Sequence, residues 1–142
     1  MIKQRCIILQ YFFNTLTKLL RDILLVAIGG AAGSAARYGL TLAVAHVWQK
    51  PFPLATLLIN LAGCFAIGLL AGFALRDEWI MKSGAWLLLA TGLCGGFTTF
   101  STFVLDNARL LEAGLTASTI GYLAASIVGG LLLCRLGLMM AH

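Results

Sequence analysis

The chemistry open to this chain is concentrated in one stretch, Gly92-Leu-Cys-Gly-Gly-Phe-Thr-Thr-Phe-Ser-Thr-Phe103. Paired glycines are followed by the hydroxyls of Thr98, Thr99, Ser101 and Thr102, with Phe100 and Phe103 three residues apart. The stretch lies inside an uncharged run over 84–105, long enough to cross a bilayer. Non-helical backbone at membrane depth is tolerated only where protein or a water-filled cavity covers it. A helix broken at Gly95-Gly96 would therefore handle something small and polar. The glycines also have a plainer use, permitting a kink. A true break would free backbone carbonyls of the kind that coordinate Na⁺ in membrane proteins.

Two further polar residues stand in apolar surroundings. Arg37 is some ten residues from either end of its span, where a cation is costly and usually faces a water-filled cavity. It implies an aqueous vestibule that attracts anions through a focused field. Asn60 follows Thr56 by four residues, on the same helical face. Its amide can donate to an anion or join two helices, and spacing leaves both uses open. Phe100 and Phe103 share a face if the segment after the break is helical. They can be core packing, or their electropositive edges can favour an anion in a pore.

Several classes are excluded by what is missing. There is no Ser-His-Asp set, no pair of intramembrane carboxylates, no His-Glu-x-x-His and no phosphate-cradling loop. His46 and His142 are isolated. Cys6, Cys64, Cys94 and Cys134 form no Cys-x-x-Cys pair, and three of them read as small buried hydrophobes. The chain is not an enzyme. Its net charge of +5 comes from basic residues scattered at the ends of apolar runs, without the basic stripe that nucleic acid requires.

The elements that must position these groups are membrane helices. Of 142 residues, 61% are hydrophobic and 11% charged, and the mean hydropathy is +0.97. The class is all-α integral membrane, because the apolar runs are continuous rather than alternating. Charges delimit four transmembrane helices over 23–48, 54–75, 84–105 and 113–134. The connections leave no room for a soluble domain, so 23–142 forms one membrane domain. Residues 1–22 mix Lys3, Arg5, Lys18, Arg21 and Asp22 with aromatic and aliphatic residues, as an interfacial helix would. A signal peptide is the other reading, but no small-x-small cleavage site precedes the first span. Small residues four apart at Gly29/Gly33, Gly68/Gly72 and Gly92/Gly96 allow close helix contact, within the chain or in an oligomer.

Together, Gly29-Gly-Ala-Ala-Gly-Ser-Ala-Ala-Arg-Tyr38, Thr56-Leu-Leu-Ile-Asn-Leu-Ala-Gly-Cys-Phe65 and the 92–103 stretch resemble the small fluoride channels of the Fluc (CrcB) type. The pieces occur in the family's order and spacing, and the resemblance spans about residues 24–135. It implies a passive fluoride channel in the bacterial inner membrane, built as an antiparallel, dual-topology homodimer with two pores along the subunit interface. It also implies a structural Na⁺ held by backbone carbonyls of Gly95 and Thr98 from each subunit. Asn60, Phe100 and Phe103 would line the pores, flanked by Thr99 and Ser101. Arg37 would sit in the vestibule, and Tyr122 and Ser126 on a polar track of the fourth helix. Gly129 and Gly130 stand where that track would continue, and Asp106 represents an acidic position after Phe103.

Dual topology needs little charge bias. Lys3, Arg5, Lys18, Arg21, Arg76, Lys82 and Arg135 fall on one side, and Lys50 and Arg109 on the other, which favours an inward N-terminus. Without residues 1–22 the difference nearly vanishes. A chain of fixed orientation would need an oppositely oriented, paralogous partner. The competing class is a proton-coupled exporter, which would need a membrane-embedded carboxylate. Asp22, Asp77, Glu78, Asp106 and Glu112 all flank the spans. A structural membrane protein is the third class. Arg37, Asn60 and a broken helix would be costly there without a use.

Overall fold

The computed structural model describes residues 2–141, with backbone alone for residues 2–8 and Glu78. Readings that rest on Met1, His142 or the side chains of Lys3, Arg5 and Cys6 lie outside the described residues. The helices are α1 (Ile2–Val47), α2 (Leu54–Arg76), α3 (Glu78–Lys82), a π-helical segment (Leu87–Cys94) that runs on as α4 (Gly95–Phe97), α5 (Phe100–Glu112) and α6 (Thr116–Ala141). Among the described residues, four stretches are long and apolar enough to span a membrane: Leu9–Val47, Leu54–Arg76, Leu87–Glu112 and Thr116–Ala141. The protein is an all-α membrane protein with four transmembrane helices.

α1 is one helix, with no interruption between residues 22 and 23. At 1.5 Å per residue its 46 residues measure about 69 Å, roughly twice the hydrocarbon thickness. Residues 9–21 are exposed throughout, and the helix joins the bundle from about Asp22 onward. α1 ends where Pro51 and Pro53 cannot continue it. The Trp48 indole donates to the Phe52 carbonyl at 2.9 Å and closes that turn. α5 ends at Gly114, whose φ of +73° admits a left-handed cap. The Leu115 amide then reaches back to the Leu110 carbonyl at 2.9 Å.

Lipid provides no hydrophobic drive between helices, so they associate through close packing. Here glycine supplies it. α1 lies against the π-helical segment and α4 with backbone almost touching backbone. A Cβ on Gly29 would overlap the Leu88 carbonyl oxygen, and one on Gly96 would stand 2.5 Å from the Gly30 carbonyl oxygen. α2 packs on α6 in the same way, where a Cβ on Gly68 would overlap the Cys134 carbonyl oxygen. The three glycine stripes read from the sequence are thus occupied within the chain, and they carry no information on an oligomer.

The third span is broken, but not at Gly95-Gly96. Gly95 is helical, with φ −63° and ψ −39°. The chain leaves the helix three residues later, at Thr98 (φ −82°, ψ 162°) and Thr99 (φ −151°, ψ 122°). Gly96 is used for contact, against Gly30, rather than for unwinding, and Gly95 is exposed with open space where a Cβ would stand. The threonines make the break because the Thr99 hydroxyl caps α5, accepting from the Thr102 amide at 3.2 Å.

Candidate functional site

Asn60 meets the break from α2. Its Nδ2 donates to the Thr99 carbonyl at 3.0 Å, and its Oδ1 accepts from the Thr99 amide at 2.9 Å. One side chain therefore satisfies both backbone groups of a residue that helix cannot serve. Asn60 does join two elements, yet the second hydrogen on Nδ2 remains for another acceptor. Gly63, one turn along, makes room: a Cβ there would overlap the Thr98 methyl.

The break redirects two amides. In an unbroken helix the Thr99 N–H would bond to Gly95 O and the Thr102 N–H to Thr98 O. Instead they go to Asn60 Oδ1 and Thr99 Oγ1. The carbonyls of Gly95 and Thr98 thereby lose their helical donors. Thr98 itself donates, through its amide and its hydroxyl, to the Cys94 carbonyl at 3.0 and 2.9 Å.

Arg37 closes the end of α4. Its Nε donates to the Gly96 carbonyl at 3.1 Å, with Ser34 Oγ at 3.4 Å from the same oxygen. A cation beside the last carbonyls of a helix is favoured by the helix dipole. The cost of an arginine in this span is offset in part by that contact, a use that its lone position in the sequence did not reveal. Ser34, three residues earlier on the same face, was the missed companion.

A cavity of about 480 Å³ opens beside the break. Its lining brings together Asn60, Gly95, Thr98, Thr99, Phe100, Phe103 and Ser126. Phe100 is 77% exposed, and its ring centroid lies 5.9 Å from that of Phe103. Tyr122 stands behind Phe103 at 5.1 Å and is fully buried. The Ser126 hydroxyl is buried without a hydrogen-bond partner within the chain, and the buried Tyr122 hydroxyl lies beside Thr56 and Asp106. Ser101 is exposed, outside the cavity lining, with Oγ 3.4 Å from Thr99 Oγ1. One turn before Asn60 on α2, the Thr56 hydroxyl donates to Asp106 Oδ2 at 2.7 Å. The sequence had placed Thr56 on the Asn60 track and Asp106 at a span end, without joining them.

The described residues hold no cluster of three His, Cys, Asp or Glu side chains fit for a metal ion. What the site offers is neutral donors and released carbonyls at the centre of a membrane bundle. That combination defines a small multi-pass membrane protein for moving an ion, not for transforming a substrate.

The chain belongs to the CrcB family: the model described as "CrcB-like protein, Camphor Resistance (CrcB)" matches residues 24–138. Among similar proteins, the fluoride-specific ion channel FluC of Methylobacillus flagellatus is 48% identical over 119 residues, covering 82% of this chain and 91% of that protein. FluC of Chlorobium phaeobacteroides is 46% identical over 115 residues, 81% of this chain and 88% of that protein. FluC 1 of Carboxydothermus hydrogenoformans is 42% identical over 121 residues, 85% of this chain and 94% of that protein. Residues 1–22 lie outside the family match.

Proposed function

We propose that this protein is a passive, fluoride-selective channel that lets cytoplasmic fluoride leave the cell and so reduces its toxicity. The observation that carries the reading is the cavity at the Asn60–Thr99 break, in a chain of this family. Fluoride is small and strongly hydrated, so a pathway must replace its water with several donors at once. The free Asn60 N–H, the unpartnered Ser126 hydroxyl and the ring edges of Phe100 and Phe103 are such donors. None carries a permanent charge that would trap the ion, and conduction needs binding weak enough for release. A negative-inside potential drives an anion outward by about 2.3 kcal/mol per 100 mV.

We propose further that the working unit is an antiparallel homodimer in the bacterial inner membrane, or a dimer with an oppositely oriented paralogous subunit. The exposure of Phe100 and Gly95 on the open side of the cavity supports a second subunit there. The Gly95 and Thr98 carbonyls, stripped of helical donors, fit a structural Na⁺, which would hold the two breaks together as a fixed hub. Thr99 and Ser101 are assigned to the pore and Arg37 to its vestibule. Residues 1–22 are assigned to the membrane interface, with Tyr11, Phe12 and Phe13 exposed for it.

The reading is tested in cells. Expression in a bacterium lacking its own fluoride exporter is expected to restore growth on fluoride, and Asn60→Ala is expected to abolish the rescue. Absence of rescue by a membrane-inserted wild-type chain would overturn the reading, once co-expression with a paralogous subunit also failed.

A further inference from the structure

A second cavity, of about 320 Å³, lies at the end of the bundle where α1 turns into α2 and α5 turns into α6. Trp48, Lys50 and Phe52 line it from the first turn, and Asp106 and Arg109 from α5. Its charges are two cations and one carboxylate, and the carboxylate is engaged by the Thr56 hydroxyl at 2.7 Å. Lys50 Nζ stands 5.0 Å above the Trp48 ring, which holds the ammonium at the cavity without neutralising it.

This cavity leads inward. The Phe52 ring, part of its lining, meets Tyr122 edge-on with centroids 5.6 Å apart. Tyr122 meets Phe103 at 5.1 Å, and Phe103 lines the cavity at the break. Tyr122, on α6, is fully buried between the two spaces, with Thr56 and Asp106 beside its hydroxyl. A net-positive recess joined to a donor-lined interior by one layer of aromatic rings is placed to gather anions, and clefts of one charge sign raise local ion concentration and entry rate.

We propose that this recess is the anion-gathering mouth of the pathway, and that Lys50 and Arg109 set the rate at which fluoride enters it. The proposal rests on the fluoride-channel reading. It is distinct from the assignment of Arg37 to the vestibule, since Arg37 lies some ten residues deeper and gives its Nε to Gly96.

The test is fluoride efflux from neutral phosphatidylcholine liposomes at sub-saturating fluoride, comparing wild type with the Lys50→Gln/Arg109→Gln double variant and the charge-preserving Lys50→Arg/Arg109→Lys. At about 10 mM ionic strength, where screening reaches about 30 Å, the neutral double variant is expected to be slower by about threefold or more. At about 1 M salt the difference is expected to vanish, and the charge-preserving variant should match wild type at both. Equal rates at low salt, or the same loss at both salts, would overturn the proposal. A loss confined to liposomes containing anionic lipid would also overturn it, assigning the recess to a lipid headgroup. Failure of the wild type to release fluoride at all would instead strike the channel reading beneath it.

Discussion

Asn60 and Thr99 are joined by two hydrogen bonds, amide nitrogen to carbonyl at 3.0 Å and backbone amide to amide oxygen at 2.9 Å. This pair holds the third span open at mid-membrane. Replacing Asn60 by Ala leaves both backbone groups of Thr99 without a partner, at a cost of about 1–3 kcal/mol for each group so orphaned. Asn60→Asp keeps only the acceptor half. Both variants are expected to lose fluoride flux and to melt earlier in detergent, Ala by more than Asp. An unchanged melting temperature for Asn60→Ala would contradict the structural role of the pair.

Gly63 and Thr98 offer a test of the break's packing. A methyl added by Gly63→Ala overlaps the Thr98 methyl. The single variant is expected to lose flux. Thr98→Ser removes the opposing methyl and keeps the hydroxyl that bonds Cys94 O, so the double variant is expected to recover part of it. Additive losses in that cycle would show that the two sites do not meet.

The two phenylalanines should separate fold from function. Phe100 is 77% exposed in one chain, whereas Phe103 packs on Tyr122 at 5.1 Å. Phe100→Ile is expected to abolish flux with little change in the melting temperature of the isolated chain. Phe103→Ile should lower both, since it removes an aromatic pair of about 0.5–1.5 kcal/mol. Equal destabilisation by the two changes would count against the arrangement.

Ser126 presents a hydroxyl that is buried without a partner in the chain. Removing a donor that makes no protein hydrogen bond costs little and relieves a desolvated group. Ser126→Ala is therefore expected to leave thermal stability unchanged or slightly raised while reducing flux. A marked loss of stability would reveal a structural hydrogen bond instead of an idle donor.

Much of this was legible in the sequence. Charge spacing located four spans, because a charged residue in lipid is expensive. The limits were short at three ends: α1 begins far before residue 23, α5 runs to Glu112 and α6 to Ala141, the last two past Asp106 and Arg135. The Asp106 carboxylate accepts a hydrogen bond from Thr56, and a terminal arginine can snorkel, so neither charge ends its helix. The break was legible in kind and misplaced by three residues, because Gly95-Gly96 looks like a hinge when only propensity is counted. Its contact with Gly30 is a tertiary fact. Asn60 was singled out as either glue or donor, and its geometry accommodates both. The bond from Arg37 to Gly96 depends on how α1 crosses α4, which no local pattern encodes.

Passive, selective fluoride conduction is measured as fluoride release from liposomes holding the purified protein, followed with a fluoride electrode, with chloride release as the control. Rapid fluoride release driven by the imposed potential is expected, with no chloride release and with loss of the signal in Phe100→Ile. Equal release of chloride, or no fluoride release from well-reconstituted protein, alone or with a paralogous subunit, would contradict this.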